Sequence, residues 1–242
     1  MDPTEVVRIP VPGMDLQTDC CHKLLAKILR VILYQTGQFP DLKTLQKTNA
    51  DPVTGLTDPA VDACQKSHLS RKAAEFLSYL DSMEHDISGL PPSVRYFLIL
   101  FGGFANHPKT AFLVDFSTVM VKDECVTKSD NDYRSIFESM IQHPVYNRRV
   151  VEIKPTNIHI YVCAPSTFRS TRFRPKLDFR LPKHCPVLLL QLISESCHSL
   201  ILDEDEFEEH TVTAKQILYE HQSDFVWHAA LNILRGFKGD VY

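Results

Sequence analysis

Apolar side chains between Gln17 and Thr36 fall at Cys21, Leu24, Leu25, Ile28, Leu29, Val31, Ile32 and Leu33. These positions nearly encircle a helical wheel and predict a helix packed on most sides, which Gly37 stops. A second helix opens near Asp58-Pro59, a cap followed by a proline at the first helical position. Its stripe of Ala73, Phe76, Leu77, Leu80, Met83 and Ile87 is one-sided, and Gly89 and Pro91-Pro92 end it. Between the two helices, Phe39 to Asp58 with its Asp-Pro step at Asp51-Pro52 reads as a loop. Val94–Phe101 and Thr110–Phe116 are β-branched and aromatic runs flanking Gly102-Gly103, Asn106 and Pro108, the pattern of two antiparallel strands and a broad turn.

The third helix runs from about Asn131 to His143, with Ser129 or Asp130 as N-cap and Pro144 forbidding continuation. Val150–Lys154, Ile158–Cys163, Phe173–Leu181 and Val187–Ile193 then read as strands. Residues 1–16, with three prolines, one glycine and short apolar steps, read as a tail or short extended arm. Phe225–Leu234 is apolar enough to return to the core. Helices first, then strands with a helix inserted, predict one α+β domain over residues 17–242, its helices against one face of a mainly antiparallel sheet.

Composition narrows the function classes. A 242-residue chain that is 44% apolar can bury one core, and 23% charged residues is close to the globular average. The formal charge of −4 argues against nucleic acid binding through the whole surface, so partners must be read from local patches. Seven cysteines, at 20, 21, 64, 125, 163, 185 and 197, are odd in number and irregular in spacing, and no secretory signal precedes them, which points to a reducing compartment. The longest apolar stretches, Tyr96–Phe104 and Val187–Ile193, are far shorter than the ~20 residues of a membrane span, so a soluble protein with no membrane partner is expected.

Two surfaces ask for partners. Tyr133, Ile136, Phe137, Met140 and Ile141 follow helical periodicity and, at ~100° per residue, spread over roughly 140°. With Ile136 and Met140 toward the sheet, Phe137 and Ile141 are left on a flank suited to a second helix, unless the whole stripe is core. From Arg172 to Leu181 the alternation is strict. Phe173, Pro175, Leu177, Phe179 and Leu181 take one face, and Arg172, Arg174, Lys176, Asp178 and Arg180 the other. Pro175 lacks an N–H and marks an edge strand. Its charges either protect the edge from self-pairing or form a docking ledge for an acidic partner, with nucleic acid a weaker candidate.

Signatures of catalysis are missing. Gly102-Gly103 with Lys109 does not have the order of a phosphate loop and reads as a turn. The eleven histidines include His159, His184, His198 and His228, yet no motif sets a nucleophile beside its base. No CxxC pair suggests zinc, and the six acidic residues between Asp203 and Glu209 lack the glycine and spacing of a calcium loop and read as a solvated face. No catalytic residue, cofactor or metal site is therefore expected.

FRPKLDFRLP at Phe173–Pro182 resembles the signature strand of the comet family of Mad-two-binding proteins, a branch of the HORMA proteins. Further matches follow in the same order: ILYQTGQFP ending the first helix, SRK at Ser70–Lys72, LILFGG at Leu98–Gly103, RSIF in the third helix, and VW then GFK near the C-terminus. The resemblance spans about residues 12–238, and its joint order carries more weight than any single match apart from FRPKL. It implies a HORMA fold with a C-terminal seat belt over about residues 183–242.

It also implies a non-catalytic adaptor. Such a protein packs its third helix on closed Mad-two and delivers it to the pachytene checkpoint AAA+ ATPase, which takes the mitotic checkpoint complex apart and silences the spindle checkpoint. Phe137 and Gln35 fall on the family's Mad-two-facing positions, with Tyr133, Met140 and Ile141 on the same helix. Pro175 and Lys176, with Arg174 beside them, fall on the positions associated with ATPase engagement. Location in nucleus and cytoplasm, and at spindle or kinetochore in mitosis, would follow. The tail before the first helix is shorter than the long arm of some members, and an acidic insertion lies at about Leu200–Tyr219. Two other readings remain: a HORMA protein that grips a client peptide under its seat belt, and an enzyme with a pocket around Cys163 or His159.

Overall fold

A computed structural model describes residues 5–11, 18–40, 61–91, 93–117, 133–151, 153–181, 184–194 and 224–237. In chain order the elements are β1 (Glu5–Val11), α1 (Thr18–Gln35), α2 (Val61–Ser88), β2 (Tyr96–Phe101), β3 (Thr110–Asp115), α3 (Arg134–Gln142), α4 (Pro144–Val151), β4 (Asn157–Pro165), β5 (Phe173–Pro175), β6 (Val187–Ser194), β7 (Phe225–Ala230) and β8 (Leu234–Arg235). Among the described residues this is an α+β fold with four helices and an eight-stranded sheet ordered β1-β6-β3-β2-β4-β7-β5, β8 pairing with β4. The sheet is mixed: β6 runs parallel to both β1 and β3, and the other pairings are antiparallel.

Register aligns the apolar positions into two layers. Phe97, Ile99 and Phe101 of β2 lie opposite Val162, Ile160 and Ile158 of β4, and Val114 and Phe112 of β3 lie opposite Leu190 and Leu188 of β6. Together with Val7, Ile9 and Val11 of β1, these side chains form one core with Leu24, Leu25, Ile28, Leu29, Ile32 and Leu33 of α1 and Phe76, Leu80, Met83 and Ile87 of α2. The opposite face holds a second cluster of Tyr96, Leu98, Leu100, Leu113, Leu189 and Trp227, packed with Leu181, Cys185 and Phe179. Covering on both faces accounts for the unbroken apolar runs of β2 and β3, every residue of which is buried. Arg30 clamps α1 to α2, its Nε 2.6 Å from Glu84 and Nη2 3.1 Å from Asp81. Gly37 ends α1 at φ 65°, a left-handed position where glycine carries no Cβ penalty.

Four expectations need correction. The N-terminal arm is, over Glu5–Val11, a strand of the sheet: Val7, Ile9 and Val11 are buried while Glu5 is held by Arg148 and by Arg149 Nε at 2.8 Å. Pro144 ends α3 but opens α4, because a proline at the first helical position gives up only an N–H that would have no intrahelical partner. Val150–Lys154 is consequently no strand, and Val150 and Val151 form the last turn of that extra helix. Phe173–Leu181 is strand only as far as Pro175; the chain then turns, Phe179 N–H donating to the Lys176 carbonyl at 3.1 Å. The caps at Asp58-Pro59 and Ser129 or Asp130, the Asp51-Pro52 loop, Pro182, the Asp203–Glu209 run and residues 195–223 of the seat belt lie outside the described residues.

Candidate functional site

The α3 stripe divides by angle. Ile136, Met140 and Tyr133 lie within about 60° of one another on the wheel and are 1%, 0% and 3% exposed, so they belong to the core that α3 forms over β1. Tyr133 also lies under the Lys27 ammonium of α1, 4.7 Å from the ring centroid. Tyr133 and Met140 therefore cannot be surface contacts in this conformation, which corrects their placement on the partner-facing side. Phe137 sits at the margin, half-buried against the core, and Ile141 beyond it is 37% exposed. Arg134 and Glu138 complete the outer face as an i, i+4 pair at 2.7 Å. The uncovered side of α3 thus has Phe137 and Ile141 on one flank, next to the Arg134–Glu138 pair and the exposed polar residues Ser135 and Gln142.

Gln35 ends α1. It is half-buried, and its Oε1 is buried without a hydrogen-bond partner. The ring contact between α1 and α3 is made at Lys27, about two turns or ~12 Å before Gln35, and no hydrogen bond, ion pair or ring contact joins Gln35 to Phe137. The chain after Gln35 is tied instead toward β4 and β8. Thr156 N–H donates to Gln38 Oε1 at 3.0 Å, and Phe237 N–H to the Gln38 carbonyl at 2.8 Å.

Pro175, Lys176 and Arg174 come together at the other end of the sheet. β5 pairs with β7 on one side and, among the described residues, stands at the sheet edge, as Pro175 leads one to expect. Arg172, Arg174, Pro175, Lys176 and Arg180 are all exposed. Arg172 leans back on Asp86 of α2 at 3.4 Å, whereas no carboxylate pairs with Arg174 or Lys176 among the described residues. Lys176 N–H donates to the Trp227 carbonyl at 2.7 Å, and the turn throws Leu177 outward, 72% exposed, against the expected inward alternation. Phe179 folds back onto Tyr161 and Trp227, with centroids 4.4 and 5.6 Å away. The α3 face and this ledge are six strand spacings apart, about 29 Å.

Near the ledge, His228 of β7 faces Pro175 in register, its Nδ1 2.9 Å from the Val226 carbonyl oxygen and its Nε2 buried without a partner. Burial holds its pKa below the ordinary histidine value. Sequence reading gave it no role, since a single histidine carries no spacing signal. Burial likewise pushes the Cys163 thiol up to about 12, which leaves it protonated and weakly nucleophilic at neutral pH, and lowers His159. Among the described residues no group of three His, Cys, Asp or Glu side chains is placed to hold a metal ion, and no helix is long and apolar enough to cross a membrane.

An α+β domain with a mixed sheet, an outward apolar flank on α3 and a basic edge at β5 is the class that fold and surface define. No protein-family model matches the chain, and no curated protein matches it at a significant level.

Proposed function

We propose that the protein is a non-catalytic adaptor of the comet type with a HORMA-like fold. It binds closed Mad-two along the outer face of α3 and engages the pachytene checkpoint AAA+ ATPase through Arg174, Pro175 and Lys176. One observation carries the reading: Phe137 is only partly covered by its own chain while Ile136 and Met140 behind it are fully enclosed. A helix lying along Phe137 and Ile141 would remove the remaining apolar surface from water without rearranging the core. Separation of the two surfaces lets one molecule hold both partners at once. The ATPase would then open Mad-two, dismantle the mitotic checkpoint complex and silence the spindle checkpoint, which sets the place of action in the nucleus and on the mitotic spindle.

Size-exclusion of the chain with closed and with open Mad-two tests this. Co-elution with the closed form alone, lost in Phe137→Ala, is expected. Equal binding of both forms, unaffected by the substitution, contradicts it. A second reading, capture of a client peptide under a seat belt, is favoured by a cleft of about 660 Å³ between α2 and residues 231–237, bordered by Phe76, Tyr79, Leu231 and Ile233. Truncation after Ser223 separates the two readings: loss of a client supports the second, and retained Mad-two binding supports the first.

A further inference from the structure

Gln38, in the turn after α1, is fully buried, and each polar atom it carries is engaged. Its N–H donates to the Leu33 carbonyl at 2.9 Å and its Nε2 to the Thr36 carbonyl at 2.9 Å, which fixes the amide to the end of α1. Its Oε1 accepts the Thr156 N–H ahead of β4 at 3.0 Å, and its carbonyl accepts the Phe237 N–H at 2.8 Å. One buried residue thus joins segments far apart in sequence: the turn after α1, the approach to β4, and residues 234–237. Gly236 closes the joint. Its N–H donates to the Thr156 carbonyl at 2.8 Å, and a Cβ there would collide with Gln38 Oε1 and stand 2.9 Å from that carbonyl oxygen. Glycine alone lets the backbone come this near the amide.

The segment held by this joint has little else to hold it among the described residues. β7 pairs with β4 from Tyr161 to Pro165, whereas β8 pairs with it at Asn157 and Ile158. Between β7 and β8, Leu231 and Ile233 are 42% and 48% exposed, and they border the cleft of about 660 Å³ that separates residues 231–237 from Phe76 and Tyr79 of α2. Leu234 and Phe237 are the buried anchors. A segment with a short ladder, few buried side chains and a cleft along one side belongs to the part of a fold that opens locally, well below the free energy of global unfolding. Lifting residues 234–237 would free the carbonyls of Gln38 and Thr156 and the edge of β4 at Asn157–Ile158, and join them to the cleft wall formed by Phe76 and Tyr79.

We infer that Gln38 is the latch of a strap, residues 231–237, which leaves the sheet as a unit and so controls access to the α2 side of the cleft and to the edge of β4. Neither α3 nor Arg174–Lys176 takes part in the latch, so its test is independent of the adaptor reading.

Amide hydrogen exchange of the full chain, followed by NMR, tests the latch in two ways. The first needs no variant: Gly236 and Phe237 should exchange through an opening at least about tenfold more populated than that of Ile99 in β2 and Leu113 in β3, and less sensitive to urea. The second uses Gln38→Met, which keeps the length of the side chain and loses both amide bonds. Exchange at Gly236 and Phe237 should rise about tenfold or more, although their own acceptors are untouched, with Ile99 and Leu113 unchanged. Gly236→Ala should do the same at Phe237. A common opening for all these amides in the unaltered protein would overturn the latch. So would folded variants in which the strap stays protected or the whole sheet loosens equally.

Discussion

At the β1 end of the sheet a helix lies over the strand, and one flank of it is carbon, in Phe137 and Ile141, beside a self-neutralised ion pair and the uncharged Ser135 and Gln142. At the β5 end the strand lasts three residues and ends in exposed cations beside a proline. The first surface gains from association by leaving water, a short-range effect that salt hardly weakens. The second gains through charge and through the side of β5 that has no strand partner among the described residues, and salt screens the charge attraction over roughly a Debye length, ~10 Å at 0.1 M. The two ends are chemically different surfaces, so under the proposed function each contact could be broken without the other.

The largest effect is expected inside the α3 stripe. Met140→Ala empties a fully buried site and should cost about 2–5 kcal/mol of stability in urea unfolding, with Mad-two affinity of the folded protein little changed. Phe137→Ala should do the reverse, weakening closed Mad-two by about 2 kcal/mol or more in calorimetry while lowering stability less than Met140→Ala does. Similar profiles for the two variants would erase the distinction between the buried and open arcs.

How far this was legible in the sequence depended on whether neighbours along the chain decide the outcome. Gly37 as a stop and the runs of β2 and β3 were legible, because turn chemistry and apolar runs are local. The α3 stripe left two readings open, all core or a flank with Phe137 and Ile141 outward, and only the packing separates them, with Phe137 half-buried and Ile141 37% exposed. Tyr133 and Met140 were misplaced by the resemblance, not by the wheel, whose angles put both on the arc of buried Ile136. The parallel pairing of β1 with β6 joins Val7 to Leu190, a contact no local pattern encodes. Pro144 was ambiguous in itself, since the same ring that ends one helix can begin the next. At Phe173–Leu181 the alternation was real in sequence, yet Pro175 removed a ladder donor and the chain turned, leaving Leu177 in solvent.

Smaller effects sharpen the β5 side. Lys176→Glu should abolish co-elution with the ATPase, leave Mad-two binding intact and shift stability by less than about 0.5 kcal/mol, as a surface change does. Raising salt to about 0.5 M should weaken the ATPase complex severalfold and the Mad-two complex hardly at all, as read by fluorescence anisotropy. The smallest effect concerns His228. Its folded pKa lies below the unfolded value near 6.5, so between the two the unfolded chain binds more protons and stability rises with pH. Its contribution is fully present above about pH 6.5 and is lost as pH falls from there through the lower folded value. Thermal melts should show a weaker pH dependence in His228→Gln, and an unchanged slope would remove His228 from the account.

Hydrogen exchange with and without closed Mad-two addresses the difference between the two ends most directly. Slowed exchange confined to Arg134–Gln142 and its immediate neighbours, with Phe173–Lys176 unchanged, is the expected result. Protection at Phe173–Lys176, or none along the third helix, would contradict it.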